Sequence, residues 1–513
     1  MPAFSRRQPS YRSSIGMLTL ALLAFALSAS AAERKTIDFD YVSELAETLA
    51  QDSYRQLERP LPDFFKSLGY DQYRDIHFDP DRALWQSENR PFSLQLMHRG
   101  YLFTDPVILH EYTETHVQEI PYVREMFSFG QLDIERYPSN GASYAGWRIH
   151  HPLNRDDYYD EVISFLGASY FRALGRGNHY GLSARGLLIP HAEEEPEEFP
   201  RFTHFWIRKP SEDAETLTVL ALLDSESISG AYAFRIKPGD PTEVRVRVRL
   251  FARKELQAIG IAPLTSMFYY GKQTQPKPVD FRPQVHDSDG LFIHREDGSA
   301  IWRPLNVGPQ LREQSYYGNE IQAFGLLQRD RDYGNYLDAE AQYAQRPSLM
   351  VIPNDPFPAG DIVLRELPPS GEFEDNIVAY YQPSAAILPG TAIEFNYTLY
   401  WGFLEDPHHA LAKVTQTRHG RDIRYQKDEI FLVEFAAPEG GIPNTITPQI
   451  KIPEGTEIRD TAIHTNPGTD LVHLRIKLQI EPEAESLLNI EATLYDNEEP
   501  YSETWQYQWT PLP

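Results

Sequence analysis

Val244, Val246, Val248 and Leu250 alternate with Arg245, Arg247 and Arg249. That is the two-residue period of a strand that buries one face and wets the other. Val472, Leu474, Ile476, Leu478 and Ile480 alternate with His473, Arg475, Lys477 and Gln479 in the same way. Thr216 to Leu223 is a denser apolar run, which reads as a more buried strand. Forty prolines and thirty glycines interrupt such segments along the chain, as many short strands and turns require. Helical periodicity is rare. It is expected around Val42 to Gln51, where Val42, Leu45, Ala46, Leu49 and Ala50 share one side, and in a second segment from Glu161 to Leu174. The chain therefore reads as all-β.

The first residues read as an export signal. Arg6, Arg7 and Arg12 precede a short apolar run, Ile15 to Leu27, and Ala29-Ser30-Ala31 is a small-x-small cleavage site. The run is too short to span a bilayer, so residues 1–31 are expected to be a signal peptide. Arg6-Arg7 is followed by Gln-Pro-Ser rather than an apolar residue, which favours Sec over twin-arginine export. No later segment is apolar enough to insert in a membrane.

About 480 residues remain, too many for one ordinary core, so two domains are expected. Glu405 to Gly420 is polar and His-rich, and beyond it about seven strand-like runs follow at short spacing. The expected division is a large β-sandwich over 32–404, a linker over 405–420 and an immunoglobulin-like sandwich over 421–513. With no cysteine, thiol chemistry and disulfides are excluded. The formal charge is −26, and loss of a leader with three Arg and no acid makes the mature chain more acidic still. Such a chain repels phosphate backbones and anionic lipid, so nucleic acid is a poor partner and a neutral polymer a better one.

Short motifs carry little. His110-Glu111 is followed by His116, six residues from the first His, whereas H-E-x-x-H needs four. Gly175-x-Gly177 lacks the Lys-Ser/Thr of a phosphate loop. Asp287-Ser288-Asp289-Gly290 lacks the later acidic ligands of a calcium loop and reads as a turn. No metal or other cofactor is expected. What remains is carboxylate chemistry in two clusters, Val285 to Gly290 and Gly371 to Asn376, both expected as loops feeding strands. Solvated turn residues are the commoner use of such clusters. Glycosidic cleavage, by contrast, needs one protonated carboxyl and one group that activates water.

Longer segments carry a family resemblance. They include His151-Pro152-Leu153-Asn154, Tyr159 to Gly175, Tyr180-Gly181-Leu182-Ser183-Ala184-Arg185-Gly186 and Phe199-Pro200-Arg201-Phe202-Thr203. Arg282 to Leu291, Ile301-Trp302-Arg303-Pro304-Leu305, Gln328 to Tyr333, Arg346-Pro347-Ser348-Leu349 and Asp375 to Tyr380 complete the set. Over essentially the whole mature chain the sequence resembles the periplasmic glucans biosynthesis protein family (MdoG/OpgG and its relative OpgD), and it sits closer to OpgG.

The resemblance implies a periplasmic protein needed to make osmoregulated periplasmic glucans, with a long groove in the large sandwich. It implies an inverting endo-hydrolase of β-1,2-glucan chains, with Asp375 as general acid and Asp287 as general base acting through a relay of hydroxyl and water. Glu372 is then expected beside the acid, raising its pKa by like-charge repulsion. His286 falls in the same substrate-binding set. Trp302 is a candidate stacking platform and Arg303 a clamp on sugar hydroxyls; a sheet-core Trp and a surface Arg are equal alternatives. The sequence departs from the family pattern at Met350, where an aromatic is expected, and at Phe357-Pro358-Ala359-Gly360-Asp361, where a Gly-Lys-Gly turn is expected. These changes bear on groove shape and rate more than on the acid. The competing reading is a non-catalytic scaffold that binds glucan and assists the inner-membrane glucosyltransferase. A third is docking of a membrane partner through the C-terminal domain.

Overall fold

The computed structural model describes residues 36–134, 142–191, 197–274, 280–317, 321–404, 410–425, 428–465, 468–480 and 487–510. The expected signal peptide lies outside them. Among the described residues strands far outnumber helices and are arranged in several sheets without a barrel. No helix among them is long and apolar enough to cross a membrane.

The alternation read from sequence becomes a sheet. Thr242–Ala252 is a strand in which Val244, Val246, Val248 and Leu250 are buried. Outward-facing Arg247 and Arg249 both pair with Glu394 on the neighbouring strand Ala392–Gly402, an opposite-charge cross-strand arrangement. These strands belong to a 15-stranded sheet. A 10-stranded sheet faces it, and the first core fills the space between, with Trp147, Phe165, Phe171, Phe202, Phe234 and Trp401 at its centre.

The expected N-terminal helix is Phe39–Gln51, and its N-cap Asp38 side chain accepts the Tyr41 amide at 2.9 Å. Phe39, Val42 and Ala46 cover the outer face of the large sheet on Trp206, Leu220, Leu222, Ala231 and Phe251. The second expected helix is instead two strands, Tyr158–Leu166 and Tyr170–Ala173, joined through Gly167 (φ 77°) and Ala168 (φ 42°). Val162, Ile163 and Phe165 are β-branched or aromatic, and they gain more by packing on Tyr144–Arg155 than a helix would give them.

The C-terminal strands form two layers. Lys413–Arg421, Asp428–Ala436, Leu471–Ile480 and Thr456–Thr465 make a four-stranded sheet that packs on Ile446–Lys451, Leu488–Asp496 and Thr504–Trp509. Residues 405–409 lie outside the described set. Within the expected linker, however, Lys413–Arg421 is a strand, because Val414 and Thr417 point into this second core. The three facing strands do not stand alone. Thr504–Trp509 pairs in parallel with Ala300–Pro304, placing Trp505 opposite Trp302, so the 15-stranded sheet runs through both parts. The second core accordingly includes Phe292, Trp302, Leu327 and Met350.

Candidate functional site

Three consecutive residues bring the two acidic clusters together. The carbonyl of Met267 accepts the Asp287 amide at 2.8 Å, and the Ser266 hydroxyl meets that of Ser288 at 2.8 Å. The Asn376 side chain clasps both backbone groups of Phe268, accepting its N–H at 2.8 Å and donating to its carbonyl at 3.0 Å. The Asn376 amide donates to the Ser266 carbonyl at 3.1 Å. Asp287 leaves the short strand Val285–His286, which pairs with Phe268–Tyr270. Asp375 immediately precedes the strand Ile377–Pro383. Residues 266–268 are thus a shared anchor for two carboxylates far apart in the chain.

Their electrostatics are joined too. Asp287 is 4% exposed, and burial raises its pKa to about 6. The Arg346 guanidinium, ion-paired to Asp287 Oδ1, opposes that rise, and the charge of Asp375 adds to it. Asp375 is solvent-exposed, yet its pKa is also raised, chiefly by desolvation, against the pull of Arg185, Arg172 and Arg346. Tyr170 feels the charge of Asp375. Tyr170 and Arg172 line a cavity of about 730 Å³, whose walls also include Leu102, Phe103, Ser183 and Phe199. Neither carboxylate is itself among the residues lining this neighbouring cavity. Arg185 is fixed by Glu197 at 2.7 Å and Thr265 at 3.1 Å, and it lies 4.5 Å over the Tyr170 ring.

Other expected site residues are differently used. Glu372 accepts from Arg282 at 2.7 Å and from the Tyr343 hydroxyl at 2.9 Å. It anchors the acid loop; burial, not repulsion from Glu372, raises Asp375. Trp302 is 3% exposed in the second core, with Arg329 3.6 Å over its ring, so no face is left for a sugar. Arg303 is fully buried and paired with Glu366 at 2.8 Å, which corrects the expected clamp. His286 is 1% exposed; it stacks on Phe268 and contacts Gln328 at 3.0 Å, and burial lowers its pKa. Met350 is buried in the second core, and Phe357 packs on Tyr381 and Phe395. Neither departure from the family pattern is among the residues lining the cavity.

Arg172, Arg185, Arg282 and Arg346 are the groups that sequence reading leaves without a role. All four lie inside the segments that carry the family resemblance. An arginine in such a segment, away from any apolar alternation, is the signal that finds them.

Comparison with known proteins identifies the family. The family model described as periplasmic glucan biosynthesis protein, MdoG, matches residues 37–509. The chain is 40% identical over 481 residues to glucans biosynthesis protein G of Vibrio cholerae serotype O1, covering 93% of this chain and 88% of that protein. It is 38% identical to the protein of that name from Shewanella frigidimarina, over 93% and 86%. The Bradyrhizobium diazoefficiens protein of the same name is 38% identical over 98% of this chain and 100% of its own length. The chain belongs to the MdoG family of periplasmic glucan biosynthesis proteins.

Proposed function

We propose that this protein acts in the biosynthesis of periplasmic glucans, in the periplasm, as an inverting endo-hydrolase of the β-1,2-linked backbone. The observation that carries the reading is the electrostatic coupling of Asp287 and Asp375 around residues 266–268. Asp375, exposed and with its pKa raised by desolvation, donates a proton to the departing glycosidic oxygen. Asp287, buried and paired with Arg346, takes a proton from the attacking water through a relay of hydroxyl and water. Its burial keeps it from direct contact, and an inverting reaction works through two carboxyls set apart on opposite sugar faces. The cavity lined by Tyr170 and Arg172 offers aromatic and apolar faces with Asp105 and Arg201 also in its walls, which suits a neutral polysaccharide.

The test is incubation of the mature protein with linear β-1,2-glucan and measurement of new reducing ends, with Asp375→Asn and Asp287→Asn beside it. New ends from the wild type alone support the reading. Binding without turnover by the wild type leaves a glucan-holding scaffold for the inner-membrane glucosyltransferase.

A further inference from the structure

Arg282 gathers carboxylates from three separate loops. Its guanidinium lies 2.8 Å from Asp280, 2.8 Å from Asp338 and 2.7 Å from Glu372. Beside each of these carboxylates the chain exposes a large apolar side chain: Phe281 at 79%, Leu337 at 43% and Phe373 at 94%. One exposed apolar residue is ordinary. Three, each one residue from a carboxylate that meets the same guanidinium, are brought into one region of the surface, and apolar groups so gathered mark surfaces that are covered in use.

The loops that carry them are pinned. Asp338 also accepts the amides of Glu340 at 3.0 Å and Ala341 at 2.7 Å. Leu337 sits at φ 57°, a region that a branched side chain occupies only where its surroundings impose it. In the acid loop, Glu372 takes the Tyr343 hydroxyl, Ser370 donates to Glu374 at 2.5 Å, and Asn376 closes the far end on Leu367 at 2.9 Å. Phe373 is therefore presented on a braced turn, so less ordering of the loop opposes binding there.

Position and charge identify the occupant. Phe373 is two residues from Asp375, within reach of a chain being cut there. The Arg282 charge is met by three carboxylates, so among the described residues the patch offers apolar faces beside a cation that is already paired. On a chain of net charge −26, that disfavours anionic polymers and lipid surfaces and suits neutral sugar rings.

We infer that Phe281, Leu337 and Phe373 form an apolar lip that stacks on glucose rings of the glucan next to the cleavage point, a subsite apart from the residues lining the Tyr170–Arg172 cavity. The inference rests on the glucan reading above. Its test is calorimetric affinity for linear β-1,2-glucan in the Asp375→Asn protein, with and without Phe281→Ala and Phe373→Ala together. The lip is expected to be worth at least about tenfold in affinity, with the melting temperature unchanged. Unchanged affinity overturns it and leaves the patch to a protein partner. Absence of binding already in Asp375→Asn, with wild type also inert on the glucan, overturns the glucan reading and the lip with it. Wild-type cleavage together with an indifferent double variant sinks the lip alone.

Discussion

Arg346 and Asp287 form a buried ion pair in which the carboxylate still sits well above its ordinary pKa. Burial outweighs the arginine here, and Asp375 pushes the same way. A carboxylate made harder to ionise by burial and by a second carboxylate is suited, with that partner, to opposite proton duties.

Replacing Asp375 by Asn removes the proton donor while keeping its shape. Hydrolysis of linear β-1,2-glucan is expected to fall by about 10²–10⁴-fold, with binding and melting temperature retained. Reducing-end release and calorimetry on one preparation check it. Turnover close to wild type in Asp375→Asn would remove the acid assignment.

The pH profile has a predictable sign. Asp287 must be ionised to act as base, so kcat/KM is expected to fall as pH drops through about 6. Arg346 lowers the pKa of both Asp287 and Asp375. Removing its charge by Arg346→Gln lets both rise, so the acid limb moves to higher pH and activity at pH 6 falls more than activity at pH 8. The two carboxyls titrate as a pair, so the limb belongs to the pair. A uniform loss at every pH would instead assign Arg346 a purely structural part.

Arg282 joins three loops through Asp280, Asp338 and Glu372 and is only 14% exposed at its side chain. Arg282→Ala leaves three carboxylates facing one another. A cost of roughly 3 kcal/mol, together with a large loss of turnover from release of the acid loop, is expected. Chemical denaturation and kinetics measure the two. Full stability in this variant would show that the hub contributes no net energy.

Trp302 distinguishes core from groove. Its ring lies under Arg329 and opposite Trp505. Trp302→Phe is expected to lower stability, by about 1–3 kcal/mol, while the folded fraction keeps its affinity for glucan. A selective loss of affinity at unchanged stability would restore Trp302 as a sugar platform.

How far these features are legible in the sequence differs by scale. The strand from Val244 to Leu250 and the helix under Asp38 are written locally, in periods of two and 3.6. The segment from Glu161 to Leu174 is not. Its apolar residues fit either period, and the turn rests on Gly167 and Ala168, whose positive φ angles leave no unambiguous mark. Asp287 and Asp375 stand out from other acidic turns only through the family resemblance. Their convergence depends on residues 266–268, which carry no acidic or basic side chain. Trp302 misleads for the same reason: its burial comes from a strand at the far end of the chain, which no local pattern announces.

That far strand makes a last prediction. A chain ending after Leu404 keeps both faces of the first core, so treatment as separate domains would have it fold. The structure argues otherwise. Phe292, Trp302, Leu327 and Met350, each 3% exposed or less, are covered by the second core that such a chain lacks. Uncovering each costs roughly 1.5–3 kcal/mol, a sum comparable to the whole stability of a domain. Arg329 also loses Glu503, its partner at 2.7 Å. The truncated protein is expected to be insoluble or to bind hydrophobic dye without a cooperative melting transition. A soluble monomer that melts cooperatively near the full-length temperature would show that the shared sheet carries no such dependence.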